Sequence, residues 1–240
     1  MIKILSIGNS FSQDATRYLH QVAASQGVEL LTENLYIGGC SLARHEENIR
    51  QKAAAYSLEI NGRTSGMYIS IQDALLRQEW DYVTMQQVSS SSTDYTTYQP
   101  YLTEVAQCVK THCPNAKLLI HQTWAYEDGS DRLENVMHMQ SSEEMFRALE
   151  KAYAQAAEDI RAAGIIPSGA LFRKLLENGI EKVHRDTFHA SLGLGRYALA
   201  LLWYGYLTKK DVAAVTFRDF DEPVSDREME IAKKCVSLVL

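Results

Sequence analysis

The sequence predicts an α/β fold, a parallel sheet covered by helices on both faces. Short apolar runs of strand length alternate along the whole chain with longer stretches of helical period, and the alternation of strand and helix implies right-handed crossovers. The 240 residues are 46% hydrophobic and include only four prolines, enough apolar material for one sizeable core. No internal repeat and no linker interrupts them, so a single domain over residues 1–240 is expected.

The first strand is read at residues 2–7 (IKILSI), and helical period follows over residues 13–25. A second strand at 30–37 precedes a helix at 44–56, and a third at 82–86 precedes one at 98–112. The fourth strand, 117–122, leads to a long helix at 142–163. Ser141, Ser142, Glu143 and Glu144 supply its cap candidates and acidic first turn, and Gly164 supplies a left-handed stop. A short fifth strand is placed at 164–167, and helices at 190–208 and 226–239 complete the chain. The polar runs 89–97 (SSSSTDYTT) and 61–65 are read as loops. Ligands of open parallel sheets sit outside the carboxyl ends of the strands, which directs attention to residues 8–12, 38–42, 87–91, 123–126 and 168–169.

Composition removes several classes of function. A formal net charge of −6, with 24 basic residues scattered along the chain, leaves no footprint for nucleic acid or an anionic membrane. The longest apolar stretch, YALALLWYGYL at 197–207, is much shorter than a membrane span and reads as a buried helix. MIKILSIGNS runs straight into the first strand without a signal-peptide pattern, so the expected location is the cytoplasm, or the chain is a trimmed mature form. Cys40, Cys108, Cys113 and Cys235 lack metal-site spacing, so free thiols and no metal are expected.

Two segments carry chemistry. GNSFS puts Ser10 in a tight turn between the first strand and a helix, where its hydroxyl can be exposed and backbone N–H groups can meet a developing anion. Alone, Gly8, Asn9 and Ser10 also read as turn and N-cap residues. VHRDTFHAS sets Asp186 and His189 three apart, close enough for the carboxylate to orient the imidazole and leave its other nitrogen for a serine hydroxyl. A helix cap with a solvated histidine is the plain alternative.

Together these motifs resemble the SGNH hydrolase superfamily, the GDSL-like esterases and lipases, in an atypical branch similar to SGNH-like domains of gut bacteria. The resemblance implies a three-layer α/β/α sandwich with a five-stranded parallel sheet in the flavodoxin-like arrangement. It maps the nucleophile to Ser10 and the DxxH block to Asp186 and His189. YIGGCSL resembles the glycine block of the oxyanion hole, at Gly39 with Gly38 the alternative. The family's GxND asparagine is missing from WDYVTMQQVSSSS; Gln87 carries the same amide, with Gln86 next and Ser89 and Ser90 open by strict alignment. GNSFS also departs from GDSL.

The implied activity is a serine esterase without cofactor, acting on a small acyl ester, acetyl by preference, on a polar carrier such as a sugar. A non-catalytic binding module on the same fold and a thioesterase or lysophospholipase-type enzyme are the alternatives. A nucleotide binder is disfavoured because the first loop lacks a phosphate-cradling glycine pattern. His121 and Trp124 are read as pocket wall or core. His20, His45, His112, His138 and His184 are read as surface histidines, and Cys40 as a packing residue.

Overall fold

A computed structural model describes residues 1–240. Five strands form the parallel centre of the sheet: β1 (Ile2–Gly8), β2 (Leu30–Tyr36), β5 (Tyr82–Met85), β6 (Lys117–Gln122) and β7 (Gly164–Pro167). A hairpin, β3 (Tyr56–Ile60) and β4 (Arg63–Ile69), extends the sheet to seven strands in the order β4-β3-β2-β1-β5-β6-β7. The expected five parallel strands are therefore present in the expected order of a doubly wound fold, and two antiparallel strands add to them.

The added hairpin has a local cause. Asn61 and Gly62 have φ of 52° and 78°, the two left-handed residues of a tight two-residue turn whose twist matches the flanking strands. A Cβ on Gly62 would lie 2.1 Å from the Arg17 carbonyl oxygen, so glycine is required for close approach as well as for φ. The Asn-Gly pair is a hairpin signal that the loop assignment at 61–65 passes over. Tyr56, assigned to a helix, instead opens β3, because Lys52 ends the preceding helix in a left-handed conformation.

Helices α1 (Ser10–Thr16), α2 (Leu19–Ala24), α7 (Ser168–Glu177), α8 (Leu194–Thr208) and α9 (Asp226–Val239) cover one face of the sheet. On the other lie α3 (Leu42–Gln51), α4 (Ile71–Leu76), α5 (Tyr101–His112) and α6 (Ser142–Asp159). Helix α8 is buried around nearly its whole circumference, the expected state of a helix apolar on all sides. It begins at Leu194 rather than 190, because Ala190 bridges to His184 and the Ser191 hydroxyl accepts from Gly195 N–H. Helix α6 is capped by Ser141 as expected but ends at Asp159; Arg161, with φ of 52°, takes the left-handed position assigned to Gly164. Helices α4 and α7 were not read from the sequence, and the first helical segment divides into α1 and α2.

Candidate active site

The carboxyl ends of β1, β2 and β5 open into a cavity of about 380 Å³ lined by Ser10, Gly38, Gly39, Ser89, Tyr126 and His189, among others. A larger hollow of about 610 Å³ lies at the other end of the sheet, around Lys3, Trp80 and Lys117, and contains no paired nucleophile and base. No three His, Cys, Asp or Glu side chains converge as metal ligands.

Ser10 is the first residue of α1. Asn9 caps that helix: its side-chain oxygen accepts from Phe11 N–H at 3.0 Å, while its own N–H donates to the Ser12 hydroxyl at 3.0 Å. The Ser10 hydroxyl lies 2.8 Å from Nε2 of His189, and His189 Nδ1 lies 2.8 Å from Oδ2 of Asp186. Asp186 also accepts the His189 backbone N–H, at 2.9 Å. An Nδ1–H donated to the carboxylate leaves Nε2 as the acceptor facing Ser10. Partial burial pushes the Asp186 carboxyl up, but hydrogen bonds from the side chain and backbone of His189 outweigh it and hold the group below its ordinary range.

The loop carrying Asp186 and His189 is fixed from three sides. His184 and Ala190 form a bridge, and Arg185 N–H donates to the His189 carbonyl at 3.0 Å. Trp124 Nε1 donates to the Phe188 carbonyl at 2.7 Å, and Glu127 N–H to the Thr187 carbonyl at 2.8 Å. These contacts hold Thr187 at φ 73°, an unfavourable conformation for a β-branched residue. Beneath the loop, Asp14 is wholly buried. Its carboxylate accepts Arg185 Nη1 at 3.0 Å on both oxygens, Arg196 Nε at 2.8 Å and Ala190 N–H at 3.1 Å. Asp14 stands one helical turn beyond Ser10, so a single carboxylate ties the serine helix to the histidine loop.

Gly38 and Gly39 line the cavity, and neither backbone N–H has an acceptor within the chain. Gly39 has φ of 63° and open space where a Cβ would project.

Gln87, expected to offer its amide to an oxyanion, is committed elsewhere. Its oxygen accepts Leu42 N–H at 3.0 Å and Val88 N–H at 2.9 Å, and its nitrogen donates to the Thr97 carbonyl at 3.0 Å and hydroxyl at 3.1 Å. Gln86 is equally engaged: its nitrogen donates to Asn9 Oδ1 at 2.8 Å and its oxygen meets His121 Nδ1. Both amides shape the loops around the cavity and neither lines it. Of the serines, Ser89 is paired with the Tyr126 hydroxyl at 2.8 Å, while Ser90 is exposed; both line the cavity.

His121 and Trp124 belong to the core, not to the cavity wall. His121 is pinned between Gln86 and the Ser168 hydroxyl, and Trp124 is stacked between Phe11 and Phe172 at 4.3 and 4.6 Å. His45 and His184 are buried too, against the expectation of surface positions: His45 contacts the Tyr56 hydroxyl at 2.9 Å and His184 the Ala125 carbonyl at 3.0 Å. Cys40 is buried beside His45 with its thiol pushed up to about 12 by burial, which removes it as a nucleophile.

The family model described as a domain of unknown function, DUF4886, matches residues 3–237. The chain belongs to the DUF4886 family. Among solved structures, this DUF4886 member is similar to a DUF4886 protein from Bacteroides uniformis ATCC 8492, at 32% identity, covering 99% of this chain and 94% of that one with a TM-score of 0.90. It is also similar to a candidate SGNH hydrolase from Slackia heliotrinireducens, at 26% identity, covering 86% of this chain and 98% of that one with a TM-score of 0.63. A member of the lipolytic G-D-S-L family from Veillonella parvula DSM 2008 shares the fold at 13% identity, covering 88% of this chain and 100% of that one with a TM-score of 0.54. No curated protein matches the chain. The fold of this DUF4886 member is thus that of SGNH hydrolases.

Asp14, Arg185, Arg132 and Phe188 were missed by sequence reasoning although they line or brace the site. Arg185 and Phe188 stand within VHRDTFHAS, where position next to Asp186 and His189 was the available signal. Asp14 had none, since its partner Arg185 is 171 residues away.

Proposed function

We propose that this protein is a serine esterase in which Ser10 is the nucleophile, His189 the general base and Asp186 its orienting carboxylate. The observation that carries the reading is the unbroken hydrogen-bond chain from Asp186 through His189 to Ser10 at the mouth of the cavity. His189 takes the hydroxyl proton as Ser10 attacks the ester carbonyl, and the resulting imidazolium is held by Asp186. The negative oxygen of the tetrahedral intermediate is received by the N–H of Ser10, which opens its helix, and by the N–H of Gly39 or Gly38. His189 then delivers the proton to the leaving alcohol, and water hydrolyses the acyl-enzyme by the same steps.

The cavity supports a small acyl group, acetyl by preference, on a polar carrier such as a sugar. Its volume of about 380 Å³ is at the small end of ligand sites. Serines, glycines and arginines outnumber aliphatic groups on its walls. Gln87 is withdrawn from the oxyanion hole because both ends of its amide are already bonded.

Wild-type protein should hydrolyse p-nitrophenyl acetate and be labelled by a fluorophosphonate probe, and Ser10→Ala should lose both while keeping its circular dichroism spectrum. Labelling that persists in Ser10→Ala would remove Ser10 as the nucleophile. A wild-type protein inert to both reagents would favour a non-catalytic binding module.

A further inference from the structure

The charges lining the cavity are one-sided. Arg132 and Arg185 face it, and no aspartate or glutamate does, although the chain as a whole carries a net charge of −6. Arg185 is offset by Asp14. Arg132 is not offset: its guanidinium joins no salt bridge, neither with Glu134 in its own turn nor with Asp131 before it, which accepts from Asn135. Arg132 opens a π-helical turn, Arg132–Val136, a rare geometry that recurs at functional sites.

The position of Arg132 identifies which part of a substrate it would meet. Its Cζ lies 3.9 Å from the centroid of the Phe188 ring, and that ring lies 3.8 Å from the centroid of His189. Cation–π contact places the guanidinium against that ring, and none of its N–H groups donates to an acceptor within the chain. His189 hands its proton to the leaving oxygen, so the alcohol half of the ester lies on the side of His189, where Phe188 and Arg132 stand. Gly38 and Gly39 belong to the β2 loop that receives the carbonyl oxygen.

From this arrangement we infer that Arg132 is a specificity-determining residue that binds an anionic group, carboxylate or phosphate, on the alcohol half of the ester. The substrate class is then an acyl ester of an acidic polar alcohol, such as an acylated uronic acid or sugar phosphate. Phe188 holds the guanidinium in place, and Tyr126 and Ser89 offer hydroxyls to the rest of the alcohol. This assignment rests on the esterase reading, because the alcohol side is defined by proton delivery from His189.

The test compares 4-acetoxybenzoate with its neutral methyl ester and with 4-acetoxyphenyl phosphate, in wild-type protein and in Arg132→Gln and Arg132→Lys. Wild type should favour the anionic esters by about ten- to a hundredfold in kcat/KM, the range of one charge-assisted hydrogen bond. Whichever of carboxylate and phosphate gives the larger ratio names the group. The ratio should fall to about one in Arg132→Gln and be partly kept in Arg132→Lys, which retains the charge without the planar fork. Dividing by the neutral ester removes any effect of the substitution on the shared chemistry. A wild-type ratio near one, or an unchanged ratio in Arg132→Gln, overturns the inference and leaves the esterase reading standing. If no ester is turned over, the esterase reading fails, and calorimetry decides the anion site. Binding of 4-hydroxybenzoate and phenyl phosphate, but not phenol, that is lost in Arg132→Gln would uphold Arg132 as an anion-binding residue and overturn only its assignment to the alcohol half of an ester, and equal or absent binding would refute both.

Discussion

Replacing Asp14 by asparagine should weaken both the fold and the reaction, although the residue touches no substrate. The side chain is wholly buried and accepts from two guanidinium groups and the Ala190 N–H. Asparagine keeps the volume and one acceptor oxygen, but it removes the charge and points an NH₂ group at donors that then lack a partner. Breaking a buried ion pair from one side costs about 3–5 kcal/mol. The lower end, about 3 kcal/mol, applies here, because the Arg185 side chain is 25% exposed and can rehydrate, and Arg196 keeps Asp221 at 2.9 Å. For a chain of this size that is a fall in Tm of roughly 6–12 °C. Because Ala190 and Arg185 flank the Asp186 and His189 loop, its displacement by even an ångström should lower kcat by about 10²-fold. Thermal unfolding followed by circular dichroism gives the first number. Turnover of p-nitrophenyl acetate well below the variant's Tm gives the second, with kcat falling more than KM rises. A Tm within 2 °C of wild type together with kcat within about twofold would refute the idea that Asp14 braces the site; the thresholds are set well inside the ranges above.

Asp186→Asn preserves the spacing to His189 but loses the charge that supports the imidazolium and can present the wrong tautomer to Ser10. A loss of about 10⁴-fold in kcat is expected, and near-normal turnover would dissolve the proposed triad. Acid should destabilise the protein through its buried neutral histidines. Burial lowers His45 and His121 to about 3 and His184 to about 4. The unfolded chain, titrating near ~6.5, takes up protons that the folded one refuses, so stability is full above that pH and falls as pH drops toward the folded values. At pH 5 each histidine costs about 2 kcal/mol and the three about 6 kcal/mol, comparable with a whole domain's stability. Urea unfolding at pH 7 and pH 5 measures the difference, and a change under about 1 kcal/mol would mean that these side chains are solvated or charged in the folded state.

Much of the architecture is written locally. The alternation of apolar runs and helical period gives the five parallel strands, because burial between two helical layers demands apolar runs wherever a strand passes. The all-round apolar character of α8 likewise marks it as buried. The hairpin was legible in Asn61 and Gly62 and was missed because β4 is an exposed edge, polar and small, without the apolar run that announces a central strand. Helix α4 is only six residues long, and so short a segment carries little periodicity.

By itself, the sequence determined the two segments that carry the site. GNSFS and VHRDTFHAS encode in a few adjacent residues the cap, the serine at the helix start and the one-turn spacing of carboxylate and imidazole, since each depends on backbone geometry over a single turn. Only the tertiary structure brought these segments together, and only it decided the surrounding partners. Gln86 and Gln87 have the chemistry of oxyanion donors, but their long stems reach Asn9, His121, Leu42 and Thr97 once the strands are in register. Asp14 meets Arg185, and Arg132 meets Phe188, across large stretches of chain. A hydrogen bond is fixed by a few tenths of an ångström and an angle, and for residues far apart in sequence those are set by how helices and loops pack, not by any pattern along the chain.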